Sequence, residues 1–125
     1  HLSPDDIRAT AARPRFEPEV FAQNTKLLTP FGDIANSLGL TMAQLSLAWL
    51  LAYPKASDNL SLIPIPGTKH IEFMNENWGA VTATMSPDVF NALDNLINEN
   101  TVEGNRYSDA RMMDTDSEQD RLRRA

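Results

Sequence analysis

The chain has 125 residues, 42% hydrophobic and 22% charged, which is a globular composition long enough to bury a core. A formal net charge of −6 argues against a nucleic-acid surface, and the one basic cluster, Arg121, Arg123 and Arg124, stands among acids at the end of the chain. The absence of cysteine excludes disulfides and thiolate metal sites, and no apolar run reaches the roughly 20 residues of a membrane span, so a soluble cytoplasmic protein is expected.

The chain starts at His1 rather than Met, nothing resembles a signal peptide, and the sequence reads as a piece of a longer protein. Residues 1–16 carry two prolines and three arginines without an apolar period and form an irregular lead-in. From Glu17 the pattern changes, with Pro18 suited to a first helical position and Val20, Phe21, Leu27 and Leu28 recurring near helical spacing. Residues 17–38 read as helical-hairpin material, either restarted or kinked at Thr29-Pro30 and stopped by Gly39. Thr41 and Gln44 make a capping box for a helix from Met42 to Tyr53 that Pro54 should end. With only Gln44 and Ser46 polar inside it, that helix needs cover on more than one side.

Leu60, Leu62, Ile63 and Ile65, closed by Pro66-Gly67, read as one short buried strand near 60–65. Ile71 to Val81 predicts a helix whose apolar side is Phe73, Met74 and Trp78. Ser86-Pro87-Asp88 is a strong helix start, followed by an apolar face of Val89, Phe90, Leu93, Leu96 and Ile97. Beyond Asn100 the chain is polar, and 108–125 forms either a loose helix or a disordered tail. A lone buried strand would leave its backbone groups unsatisfied, so its sheet should lie in sequence outside this chain, which marks a fragment of an α/β protein.

The runs Thr41 to Leu51 (TMAQLSLAWLL), Ile63 to Lys69 (IPIPGTK) and Glu76 to Ala80 (ENWGA) resemble the aldo-keto reductase family in order, identity and spacing. Pro14-Arg15-Phe16 with Asn24, and Val102 to Tyr107 (VEGNRY), extend the resemblance to bacterial and fungal NADP-dependent members over nearly the whole chain. It implies the C-terminal portion of a TIM (β/α)8 barrel, mostly helical within this chain, with the preceding seven strands elsewhere. It also implies a parent oxidoreductase moving hydride between NADP(H) and an aldehyde, ketone or alcohol, with NAD(H) still possible. The family's tyrosine, lysine, aspartate and histidine come from the first half of the barrel. Tyr53 and Tyr107 match none of its motifs, so no catalytic residue is assigned and no metal site is expected.

A turn of Pro66, Gly67, Thr68 and Lys69 running into a helix offers free N–H groups, a hydroxyl and a cation to a phosphate, while Glu76 and Asn77 offer an acceptor and an amide to an adenine edge. The resemblance places Thr68 and Lys69 near the 2′-phosphate and Glu76 and Asn77 at the adenine. Many relatives keep a Lys directly after the proline and an Arg three residues before the Glu-Asn pair; this chain has Gly67 and Phe73 there, so Lys69 is the candidate to replace the lost charge. Phe73 either stacks near adenine or packs inward.

Each feature also has a plainer reading. Such a turn often does no more than close a strand, Glu76 and Asn77 fit a solvated helix face, and His70 fits an exposed loop. Trp49, Trp78 and Phe90 read as core, and the acidic run between Asp109 and Asp120 as solvated surface. Arg106 and Tyr107 belong either to a loop shaping the substrate pocket or to packing on the barrel. The competing function is a stand-alone helical module that binds a nucleotide or a protein. Against it stand the lone strand and the all-round apolar helix, whose cover would come from missing barrel residues or a self-associated chain.

Overall fold

The computed structural model describes residues 3, 5, 6, 8, 10, 13–56 and 62–113, which divide into two compact units, 28–98 and the terminal stretches 1–27 with 99–125. In the terminal unit a tight turn, Arg13–Phe16, precedes helix α1 (Pro18–Thr25), which starts with its proline in the first turn. Phe16 and Phe21 stack at 5.9 Å across that junction. The expected break at Thr29-Pro30 falls earlier, at Lys26–Leu27, and α2 (Leu28–Ser37) carries Pro30 in its own first turn, where a missing N–H has no intrahelical carbonyl to disappoint. The polar stretch after Asn100 ends in a single helical turn, α6 (Asp109–Met112), while 114–125 lies outside the described residues.

In the central unit α2 stops on Gly39, whose φ of +67° admits the reversed chain. Leu40 N–H donates to Ala35 O at 3.0 Å and Gly39 N–H to Asn36 O at 3.1 Å, the paired bonds that satisfy a helix's last carbonyls. Helix α3 (Met42–Ala56) opens on the expected box: Thr41 N–H donates to Gln44 Oε1 and Gln44 N–H to Thr41 Oγ1, both at 3.1 Å. It runs past Pro54, the expected stop, because a proline near a helix end removes one bond and its φ is helical.

Helix α4 (Ile71–Gly79) leads into a tight turn, Ala80–Thr82, so the expected helix over 71–81 is shorter and finishes in tighter winding. Helix α5 (Pro87–Leu96) begins as expected, with Ser86 Oγ accepting from Val89 N–H at 3.3 Å. Phe31, Ala35, Leu45 and Leu93 make the core where α2, α3 and α5 meet, and Val89, Leu96 and Ile97 pack against it. Asp94 ties α5 to α3: its Oδ1 accepts from Trp49 Nε1–H at 2.8 Å and from Tyr53 O–H at 2.9 Å. Burial, then the bond to Asp94, raises the Tyr53 phenol above its ordinary range.

The strand near 60–65 does not form among the described residues. Residues 62–68 are irregular, and 57–61 lie outside those described. The physical reason is the one the sequence supplies: a strand exists only by pairing, and no described residue forms a strand to pair with it.

Candidate functional site

The segment 62–70 leads into α4 and ends on His70, the residue before the first turn of that helix. No side chain caps this helix, so the N–H groups of its first turn, which have no partner within a helix, face outward from the turn that carries Thr68 and Lys69. Pro66, Gly67, Thr68 and Lys69 are all exposed. Thr68 Oγ1 accepts from His70 N–H at 3.1 Å and donates to His70 O at 3.4 Å, two local bonds that fix the turn. Nothing lies within 4 Å of the position a Gly67 side chain would occupy, so the backbone there is open to a ligand.

Phe73 does not pack inward. It is half-exposed, edge-on to the His70 ring at 5.3 Å. His70 Nδ1 also lies 3.6 Å from Glu72 Oε1 in the first turn of α4. Among the described residues no cluster of three or more metal-ligating side chains occurs.

One turn on, the backbone carbonyl of Glu76 accepts from Gln44 Nε2–H at 3.0 Å, so the residue that caps α3 also holds α4. Gly79 makes that approach possible, since a Cβ there would stand 2.5 Å from Gln44 Nε2. The capping box was readable in the sequence, but this second role of Gln44 was not; its only signal is a glycine inside a helical pattern.

Asn77 and Pro66 share an open groove of about 460 Å³ whose walls are mainly Leu47, Leu51, Met74 and Trp78. Asn75, which sequence reasoning passed over, lines it too. The groove therefore gathers one adenine candidate and the proline of the phosphate turn, but not Thr68, Lys69, Phe73 or Glu76. Trp78, expected in the core, is 74% exposed, and Ile65 is 92% exposed. An apolar face this bare is the surface expected where further strands would pack.

These features define a helical segment with an open apolar flank and an uncapped helix start. The model of the aldo/keto reductase family matches residues 2–98. The chain is 37% identical over 86% of its length to the Schizosaccharomyces pombe aldo-keto reductase yakc, whose name specifies NADP(+), and 30% identical over 84% to the Strobilurus tenacellus aldo-keto reductase str7. It spans 31% and 29% of the lengths of those two proteins. No solved structure matches the chain. The chain belongs to the aldo/keto reductase family.

Proposed function

We propose that this chain is the C-terminal portion of an NADP(H)-dependent reductase barrel and that it holds the adenine and 2′-phosphate end of the cofactor. The observation that carries the reading is the exposed Pro66–Lys69 turn entering the uncapped N-terminus of nine-residue α4. Outward N–H groups and the positive end of the helix dipole favour an anion there, and Lys69 adds a full charge. Asn77, in the apolar groove, presents its amide to an adenine edge, and Glu76 lies beside it on α4. The naming of yakc for NADP(+) supports the phosphate-bearing cofactor.

In this reading the parent moves hydride between the nicotinamide and a carbonyl compound in the cytoplasm, with proton transfer performed by residues of the first half of the barrel. Residues 1–125 alone then do not oxidise NADPH with any aldehyde. The barrel's other strands, or a second copy of the isolated chain, cover the face around Ile65 and Trp78.

The test is cofactor titration of the full-length polypeptide by fluorescence. Losing one charge-assisted phosphate contact costs about 1.5–3 kcal/mol, roughly ten- to a hundred-fold, so Lys69→Ala weakens NADPH by that order and leaves NADH nearly unchanged. Asn77→Ala weakens both alike. Equal weakening of NADH and NADPH by Lys69→Ala would overturn the assignment of the lysine to the 2′-phosphate.

A further inference from the structure

Residues 103 and 104 are tied to residues far away in sequence by bonds concentrated on two peptide units. Asn24 Nδ2–H donates to Glu103 O at 3.0 Å, and Asn24 Oδ1 accepts from Glu103 N–H at 2.9 Å, across 79 residues of chain. A primary amide that satisfies both backbone groups of one residue imitates a neighbouring strand with a single side chain. Beside it, Arg15 Nε–H donates to Gly104 O at 3.1 Å. Gly104 has φ +78°, and a Cβ there would stand 2.9 Å from Pro14 O and 3.1 Å from Val20 Cγ1. The glycine thus serves two needs at once, the left-handed backbone and the close approach.

Around these contacts, residues 97–107 form neither helix nor strand. Arg106, two residues beyond the last contact, is exposed and has no ion-pair partner among the described residues, and Tyr107 is half-buried. We propose that residues 102–107 form a strap, that the side-chain amide of Asn24 is its buckle, and that opening this buckle releases Arg106 and Tyr107 without unfolding the rest. Asn24 is then a positioning residue for those two side chains. The device lies within the terminal unit and stands or falls independently of the cofactor reading.

Arg106 supplies the assay, because trypsin cleaves after arginine only where the backbone is free to enter the protease. When opening is fast relative to cleavage, the cleavage rate follows the open population. In the full-length polypeptide, Asn24→Ala removes both buckle bonds and raises cleavage after Arg106 roughly ten- to thirty-fold, with arginine sites other than Arg15, which itself holds the strap at Gly104 O, unchanged. Gly104→Ala reaches the same result by a different route, forcing the strap away from Pro14 while Asn24 is intact. Arg13→Ala, which breaks only the 2.6 Å pair with Glu17, leaves the strap closed.

Mass spectrometry of the early fragments reads all three. Wild-type cleavage rates in Asn24→Ala, or equal acceleration at every arginine, overturn the proposal. Should Asn24→Ala fail to fold, Gly104→Ala decides alone, since selective cleavage after Arg106 supports the strap and an unchanged pattern refutes it.

Discussion

Gly79→Ala isolates the contact between α3 and α4. The backbone at Gly79 is ordinary right-handed helix, φ −57° and ψ −23°, so alanine meets no conformational barrier there. By helix propensity and chain entropy alone the substitution stabilises, by about 0.5–1 kcal/mol. Against this, the new methyl would stand 2.5 Å from Gln44 Nε2. That amide cannot swing aside freely, because its Nε2 donates to Glu76 O at 3.0 Å and its Oε1 accepts from Thr41 N–H at 3.1 Å. Displacing it breaks two bonds of about 1 kcal/mol each, so the expected net effect is a destabilisation of about 1 kcal/mol. Urea denaturation of the full-length polypeptide measures this directly. The decisive comparison repeats the substitution in a Gln44→Ala background, where the clash is gone and Gly79→Ala should be neutral or stabilising. A coupling near 2 kcal/mol between the two positions follows, and an identical loss in both backgrounds would refute the steric reasoning.

Asp94→Ala strips the acceptor shared by Trp49 and Tyr53, and two bonds to a carboxylate predict a loss of about 2–3 kcal/mol by the same denaturation, with a change in Trp49 emission. Because burial and then Asp94 hold the Tyr53 phenol protonated, its contribution is fully present below the ordinary tyrosine pKa of about 10 and is lost as pH rises through the raised folded value. Stability measured against pH should therefore fall more steeply above about pH 10 in wild type than in Tyr53→Phe. Gly39→Ala forces a side chain into φ +67° in otherwise open space and should cost about 1 kcal/mol from backbone strain alone, seen as a lowered thermal midpoint.

Local chemistry makes much of this chain legible in its sequence. The Thr41-Gln44 box, the Ser86-Pro87 start and the Gly39 stop each satisfy orphan groups of one helix end, so a few adjacent residues contain the whole argument. The family is legible for the same reason, through contiguous runs such as Ile63 to Lys69. Less readable are contacts closed across the sequence. Gln44 reaching Glu76, Asp94 receiving two donors from α3, and Asn24 mimicking a strand beside Glu103 depend on which helix faces meet, and periodicity does not encode that.

The misreadings share a cause. Trp78 and Ile65 have the composition of core residues and stand exposed, and the run after Leu62 has the composition of a strand and forms none among the described residues. Sequence by itself determined what these residues need, namely apolar cover and a backbone partner, because hydrophobicity and unsatisfied N–H and C=O groups belong to the residue. Only the tertiary structure decided whether those needs are met, since cover and pairing come from other segments brought near in space. In this chain the core of Phe31, Leu45 and Leu93 meets them, and the open groove beside α4 does not.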